Sequence, residues 1–185
     1  MGGHFHRGLP LRRQDPDLAV TPARDAVSGF VPGGGEQVSV RPAVLGDVDA
    51  LIELYAQLAE DRSAARPARG EDARSLLASV MRQENRCLLV ATTRGTLVGT
   101  ADMLVVENLT YAGRPWVIIE NVVVDQKHRR LGVGRALFTE VFRRAREAHC
   151  CKVQLLSLKH RKDAHEFYRS LGFRSLAEGF RLYLD

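Results

Sequence analysis

Hydrophobic and polar positions alternate in this chain with two different periods, and both begin near residue 38. Apolar residues recur every three or four positions after Asp47 and again over residues 71–84, which predicts two amphipathic helices with Asp47 as the first N-cap. Runs rich in β-branched residues, bounded by turn residues, predict strands around them. In the first half these strands cover residues 38–41, 87–93 and 96–106, and the last two form a hairpin.

The second half predicts a strand, a helix and a further strand in succession. Residues 116–124 are rich in Val and Ile, residues 134–148 carry a helical apolar stripe, and residues 153–158 predict the next strand. This order indicates a parallel βαβ unit. A last helix over residues 163–170 and a strand over residues 173–184 complete the order β-α-α-β-β-β-α-β-α-β. We therefore predict an α/β fold with a mixed sheet.

The first 37 residues follow neither period. They contain seven of the 16 glycines and four of the seven prolines, and their charges cancel. Such a composition is typical of a flexible extension, which here ends at three consecutive glycines. The predicted organisation is thus an extension over residues 1–37 and one domain over residues 38–185, a length that suits a single domain.

Composition excludes several classes of protein. Hydrophobic residues make up 45% of the 185 residues, which excludes disorder throughout, and no apolar run approaches the roughly 18 residues of a membrane span. Three cysteines cannot build a disulfide scaffold, and no Cys/His pairs stand at ligand spacing, so we expect no metal. The N-terminus lacks the apolar region of a secretion signal, and we expect a cytoplasmic protein.

The turn after the strand at 116–124 is rich in glycine and basic residues. Gly132 and Gly134 let the backbone come close to a ligand, and the N–H groups of the helix turn that follows can bind an anion. A Walker loop would need Gly-Lys-Ser/Thr, and a dinucleotide fingerprint would need a third glycine and a later acid; the chain has neither. A tight turn with solvated arginines is the plain alternative, but the strand–turn–helix context favours a pyrophosphate site. Four cations surround the turn: Lys127, Arg129, Arg130 and Arg135.

Two short motifs stand before and after the strand at 153–158. The first, Arg-x-x-Gly-x-Gly at residues 129–134, follows a Val-rich strand, and the second, Phe-Tyr-Arg-Ser-Leu-Gly-Phe, covers residues 167–173. Together they resemble the acetyl-CoA signature and the C-terminal Phe-Tyr-x-x-x-Gly-Phe element of the GNAT superfamily of N-acetyltransferases. The resemblance covers about residues 38–185. The run at 119–124 is similar to the glucosamine-phosphate acetyltransferase branch and to many uncharacterised bacterial relatives.

The resemblance implies a GNAT-type fold, acetyl-CoA as the co-substrate, and a role for each motif. The backbone of Val122, Val123 and Val124 would pair with the pantetheine arm like an added strand, in a slot where the two central parallel strands splay. Tyr168 would protonate the departing thiolate, since a tyrosine hydroxyl stays protonated at neutral pH; plain aromatic packing is its alternative role. The pyrophosphate would be held by Arg129, Arg130, Leu131, Gly132, Val133, Gly134 and Arg135.

Arg161 marks a departure from the family pattern, because the family often has Asn at this position. The usual Asn contact to the cofactor is therefore not expected in this chain. Arg161 or its neighbour Lys162 could instead meet a CoA phosphate or be solvated.

A general base is needed, because an alkyl ammonium acceptor must lose a proton before it attacks. Glu120 is the candidate, a carboxylate in an apolar strand two residues before the valines, where burial would make it more basic. A structural or acceptor-orienting Glu120 is the alternative. The period of two places Asn121 on the opposite face. Cys151 has no evident activating base, so we expect direct transfer without an acyl-enzyme.

We therefore predict an acetyl-CoA-dependent N-acetyltransferase that acts on a primary amine of a small cationic molecule. The net charge of +5 divides into +8 over residues 127–169 and −3 over residues 38–126, so a basic cofactor end faces a mildly acidic acceptor end. A protein N-terminal or lysine acetyltransferase is the first alternative, and a non-catalytic acyl-CoA-binding module is the second. We expect no nucleic-acid partner, because no aromatic residue interrupts the basic turn, and no membrane partner. The sequence does not decide whether the chain forms a homodimer.

Overall fold

A computed structural model describes residues 37–59 and 67–184. The predicted extension over residues 1–37 lies outside the described residues except for its last member. The described chain forms a five-stranded sheet in the order β1-β2-β3-β4-β5. Its strands are β1 (Val38–Pro42), β2 (Arg86–Thr93), β3 (Thr96–Val106), β4 (Trp116–Val124) and β5 (Val153–Leu155). Its helices are α1 (Val48–Ala59), α2 (Gly70–Met81), α3 (Val133–Glu147) and α4 (Lys162–Ser170).

The strand pairing confirms the predicted mixed α/β sheet. Strands β1 to β4 pair antiparallel in chain order, with β2 and β3 forming the predicted hairpin. Strand β5 pairs parallel to β4 after the crossover through α3, as a βαβ unit requires. Most predicted elements match the observed ones to within three residues at each end, because their hydrophobic periods are long and regular.

Helix α3 covers the main hydrophobic core. Its apolar stripe predicts this placement, and Leu137, Phe138 and Val141 are fully buried against the sheet. The Phe138 ring lies at the centre of an aromatic cluster, with ring centroids 5.7–5.8 Å from its neighbours. The four neighbours are Phe142, Phe167, Tyr168 and Phe173.

Helices α1 and α2 cover the opposite face with a smaller core. Leu51 of α1 and Leu77 of α2 are buried there against Leu88 and Val90 of β2. At the start of α1, Asp47 accepts two hydrogen bonds from the Arg41 guanidinium, at 2.7 and 2.8 Å. Its carboxylate also accepts from the backbone N–H of Val44 at 2.8 Å, and Asp47 itself lies in a 3-10 turn, Leu45–Asp47, that precedes α1. Asp47 therefore joins β1 to this turn instead of acting as the predicted N-cap of α1.

The predicted last strand is wrong for the described residues. The chain after α4 forms a turn and then runs without strand pairing through residue 184. Leu176, Phe180 and Leu184 are 65%, 90% and 93% exposed. Strand β5 is also shorter than predicted, with three residues instead of six. The alternating apolar pattern of the last segment does not produce a strand by itself, because a ladder also needs a partner edge.

Candidate active site

The candidate site lies where β4 and β5 stop pairing. Their parallel ladder begins at Val117 and Val153 and ends at Ile119 and Leu155. Beyond this point a cavity of about 30 Å³ opens between the two chain segments. We refer to it as the reaction cavity; its lining includes Leu58, Glu120, Asn121, Val122, Leu156, Ser157, Arg161 and Tyr168. The separation of the strands agrees with the slot that the family resemblance implies.

A β-bulge in β4 brings Asn121 into the reaction cavity. Asp102 of β3 pairs with Glu120, whereas Thr100 pairs with Val123, so β4 carries one extra residue. Asn121 has a φ of 51°, a left-handed conformation that Asn tolerates better than most residues. The prediction that Asn121 points to the opposite face is therefore wrong, because the bulge breaks the period of two. Only the pairing of the two strands reveals this residue.

The bulge also determines which way the three valines after it face. Val122 and Val124 pack against the core under α3, and Val123 is 5% exposed. In the described part of the chain, no strand pairs with this stretch of β4 on the side of β5, since the parallel ladder ends at Ile119. The Val124 carbonyl, however, already accepts a hydrogen bond from Nε of Arg129 at 3.3 Å. An extended ligand that pairs along this stretch, as predicted for the pantetheine arm, would therefore have to share or replace this contact. That role stays a prediction.

Tyr168 lies on α4 and borders the same cavity as Glu120. Its ring packs against Phe138, Phe167 and Phe173, with centroids 5.5–5.9 Å apart. Burial raises the pKa of Tyr168, against an opposing effect of Arg161. Aromatic packing and proton donation are therefore compatible roles for Tyr168. Its ring is fixed by packing, while its hydroxyl keeps a proton that it can donate.

Glu120 is exposed, so the expectation that it is buried is wrong. The ladder to β5 ends one residue earlier, at Ile119, so within the described ranges no residue of β5 pairs with Glu120. Glu120 stands opposite Asp102 in the ladder with β3, which places it on the sheet face covered by α1 and α2. It is thus positioned to meet a molecule that enters from that face, and its role as base stays a prediction.

Asp125 fixes the start of the glycine-rich turn. Its carboxylate accepts hydrogen bonds from the Gln57 side chain at 2.9 Å and from the backbone N–H of Lys127 at 3.0 Å. His128 Nδ1 lies 2.7 Å from the same carboxylate. The hydrogen bond from Gln57 contributes most to a lowered pKa of Asp125, followed by that to His128. Gln57 also accepts from the backbone N–H of Gln126, so α1 is tied to the turn before α3.

The two glycines of the turn serve different purposes. Gly132 caps α3 with a φ of 85°, and a Cβ at this position would meet nothing within 4 Å. A Cβ on Gly134 would instead lie 2.9 Å from Cζ of Phe167. The expectation that both glycines admit a ligand is therefore supported for Gly132 only. Gly134 allows α3 to pack closely on α4.

The turn and the start of α3 form a positively charged surface. The first hydrogen bond of the helix runs from the N–H of Ala136 to Gly132, so the N–H groups of Val133, Gly134 and Arg135 have no acceptor within the helix. The helix dipole adds partial positive charge at this end. The side chains that add full charges are exposed at Lys127, Arg129, Arg130 and Arg135. This combination fits a phosphate-bearing ligand.

Arg161 lies at the start of α4 and lines the reaction cavity with Tyr168. Its electrostatic influence on the pKa of Tyr168 also places it beside the phenol. The structure therefore adds Arg161 to the surroundings of the candidate acid. A contact between Arg161 and a CoA phosphate stays a prediction.

The described residues offer neither a metal cluster nor a membrane-spanning helix. No group of three or more His, Cys, Asp or Glu side chains within the described ranges is arranged to hold a metal ion. In the same part of the chain, no helix has both the length and the apolar character needed to cross a membrane.

Comparison with protein families gives one match, which covers most of the described chain. Residues 50–173 match the model of the acetyltransferase (GNAT) family. The match includes the bulge of β4, the glycine-rich turn and α4 with Tyr168. Both motifs that carry the resemblance in the sequence therefore fall inside it.

Individual relatives agree with this match. A glucosamine 6-phosphate N-acetyltransferase of Trypanosoma brucei brucei is 37% identical over 90 residues, which span 49% of this chain and 59% of that protein. The solved structure of a putative acetyltransferase from Agrobacterium tumefaciens is 36% identical, with a TM-score of 0.72 over 78% of this chain and 99% of its own. A Bacillus halodurans protein described as a transcriptional regulator is 28% identical, with a TM-score of 0.74 over 80% of this chain and 100% of its own.

Proposed function

The chain belongs to the acetyltransferase (GNAT) family, and on this premise we propose that it transfers the acetyl group of acetyl-CoA to a primary amine of a small cationic molecule. One observation carries the proposal. A candidate acid, Tyr168, and a candidate base, Glu120, border one cavity at the point where β4 loses its neighbouring strand. The positively charged turn lies at the end of that same strand.

The proposed cofactor end of the site consists of backbone N–H groups and exposed basic side chains. Acetyl-CoA carries phosphates, which suit the free N–H groups at the start of α3 and the exposed arginines of the turn. Its extended arm suits the free side of β4 at Val122–Val124. With its phosphates at the start of α3 and its arm along β4, acetyl-CoA would place the thioester next to the reaction cavity. The lining of this cavity includes Val122 and Tyr168.

The transfer needs three proton movements. The ammonium acceptor loses one proton to Glu120, and the neutral nitrogen forms a bond to the thioester carbonyl carbon. The bond between this carbon and sulfur then breaks, and the departing thiolate takes the proton of the Tyr168 hydroxyl. The nitrogen gives its second proton to the resulting phenolate, which leaves a neutral amide, and Glu120 releases its proton to solvent. Burial raises the pKa of Tyr168, so the hydroxyl is protonated at neutral pH but is also a weaker acid. Support for its role therefore comes from its position at the reaction cavity.

The charge of the acceptor side supports a cationic acceptor. Residues 38–126 carry a net charge of −3, and both α1 and α2 have acids in their first turn. The trypanosomal relative acts by its name on glucosamine 6-phosphate, which carries both an amine and a phosphate. This compound is therefore the second candidate acceptor.

The test is the release of free CoA from acetyl-CoA in the presence of an amine panel. The panel contains alkyl and arylalkyl amines, a diamine, glucosamine 6-phosphate, and peptides with a free N-terminus or a lysine. We expect turnover with small amines above the rate of spontaneous hydrolysis. Turnover with peptides alone would identify a protein acetyltransferase. Tight CoA binding without turnover of any amine would identify a non-catalytic binding module.

A further inference from the structure

A second cavity lies under α1 and α2 on the same face of the sheet as Glu120. Its volume is about 180 Å³, and we refer to it as the side cavity. Most of the side chains around it are aliphatic. They include Leu51 and Ile52 of α1, Leu76, Leu77 and Val80 of α2, and Leu88 of β2.

The polar groups around the side cavity are already neutralised. Arg86 donates two hydrogen bonds to Asp102, at 2.9 and 2.5 Å, and Asp102 is 2% exposed. A bidentate pair of this kind satisfies both charges, so neither charge is left over for a ligand. Burial raises the pKa of Tyr55 to about 12, so its phenol is uncharged as well. The side cavity therefore favours an uncharged group over a phosphate or an ammonium.

The side cavity lies next to the reaction cavity and shares one lining residue with it. Asn121 lines both, because the bulge in β4 turns it out of the regular alternation. Helix α1 also spans the two: Leu58 borders the reaction cavity, and Tyr55, one turn earlier, borders the side cavity. The side cavity is therefore adjacent to the place where the reacting nitrogen of an acceptor would meet Glu120.

We propose that the side cavity holds an uncharged apolar group of the acceptor, an aromatic ring or a branched alkyl chain. This inference rests on the proposed function and names the acceptor class as arylalkyl or branched alkyl primary amines. An apolar protein cavity of about 150 Å³ is sufficient to hold benzene, so the side cavity has room for a ring. The single charge of such an amine remains with its reacting nitrogen, in the cavity bordered by Glu120.

The kinetic experiment compares two amines that differ by one ring. Ethylamine and phenethylamine are supplied with acetyl-CoA, and the release of free CoA gives the Michaelis constant and kcat for each. Burial of a ring in an apolar site increases affinity by roughly tenfold or more, so we expect phenethylamine to have a Michaelis constant lower by at least about that factor. Equal Michaelis constants, or a preference for glucosamine 6-phosphate over both amines, would overturn the inference while leaving N-acetylation in place.

Two phenylalanine variants of α2 test whether the preference for phenethylamine arises in the side cavity. Val80→Phe places a ring in the side cavity, whereas Ser79→Phe places the same ring on the exposed side of the same helix. We expect Val80→Phe to raise the Michaelis constant for phenethylamine to that for ethylamine, so that the preference between the two amines is lost. The control Ser79→Phe should retain the wild-type preference. A preference that survives Val80→Phe would contradict the assignment.

A binding experiment separates this inference from the proposed function. Phenethylamine is titrated into the full chain without acetyl-CoA, and the NMR signals of the Leu and Val methyl groups are followed. We expect saturable shifts at Leu77, Val80 and Leu88 and none at Val141, which lies under α3. If no amine is acetylated, the proposed function fails, yet these shifts would still support the side cavity as a binding site. Absence of shifts would refute the inference, whether or not Val80→Phe folds.

Discussion

The two faces of the sheet are filled in contrasting ways. Under α3, Leu137, Phe138 and Val141 are fully buried, and four aromatic rings pack around Phe138. Under α1 and α2, the core leaves a cavity of about 180 Å³ and contains the buried ion pair of Arg86 and Asp102. The chain thus packs one face tightly and leaves room on the other.

This difference in packing suggests that the two faces have different roles in the site. Close packing restricts side chains to single positions, so the face under α3 can hold Tyr168 and the start of the glycine-rich turn in a constant geometry. A cavity permits a guest to enter without displacing the core, which suits the variable part of a substrate. We therefore infer that the packed face supplies the candidate acid Tyr168 and the cofactor site, whereas the open face supplies Glu120 and selects the acceptor.

The largest expected effect comes from removing the central ring of the packed face. Phe138→Ala should lower the free energy of unfolding by about 3–5 kcal/mol, because it leaves a void that its neighbours cannot fill. The variant for comparison on the open face is Leu76→Ala. The Leu76 side chain is 56% exposed, so its truncation should lower the free energy of unfolding by less than about 1 kcal/mol. Urea denaturation of both variants measures the difference, and similar losses would remove the contrast between the faces.

The second prediction concerns the hydroxyl that the packed face presents. Tyr168→Phe retains the ring contacts and removes the proton donor, so turnover should fall about 100-fold or more with little change in CoA affinity. Tyr183→Phe is the control, since Tyr183 is 64% exposed in the segment after α4. Steady-state CoA release and CoA binding by calorimetry give the two quantities. Unchanged turnover of Tyr168→Phe would restrict this residue to packing.

The third prediction tests how closely α3 and α4 approach. Gly134→Ala forces a methyl group against the Phe167 ring, and overpacking of this kind costs about 1–3 kcal/mol of stability. Gly46→Ala is the control, because a Cβ there meets nothing within 4 Å and the φ of this glycine is not positive. Thermal unfolding of both variants should separate them by several degrees. An unaffected Gly134→Ala would mean that the packed face is less rigid than its contacts indicate.

The smallest expected effect lies in the connection between the faces. Gln57 and His128 hold the pKa of Asp125 below its value in the unfolded chain. The carboxylate therefore stabilises the fold above the usual Asp pKa of about 3.9, and this contribution is lost as the pH falls through the lower pKa of the folded state. Asp125→Asn should reduce stability at pH 7 by about 1 kcal/mol or less and reduce the difference between pH 7 and pH 3. Chemical denaturation at both pH values checks this, and an unchanged pH dependence would contradict it.

The parts of the site that lie in one continuous segment were predictable from the sequence. The Val-rich run of β4, the glycine-rich turn and the helical stripe of α3 each follow from residue types at short spacing, and the structure has all three in the predicted order. The placement of Tyr168 on a short helix after β5 follows in the same way. The family match over residues 50–173 agrees with both motifs.

Other features depend on how strands meet and could not be predicted in this way. Asn121 enters the cavity because β4 carries one residue more than β3 can pair with. Glu120 is exposed because β5 ends its ladder at Leu155. The predicted last strand is absent from the described sheet, whose strand order ends at β5.

The sequence by itself thus determined the order of most elements, the mixed sheet and the position of the glycine-rich turn, because hydrophobic period and glycine position act over a few residues. Only the tertiary structure decided which distant residues share a cavity. Gln57 and Asp125 stand 68 positions apart and hydrogen-bond directly, and Arg86 and Asp102 meet across two strands. Such contacts depend on strand register and on the bulge in β4, and both arise from the balance of packing over the whole sheet rather than from any local pattern.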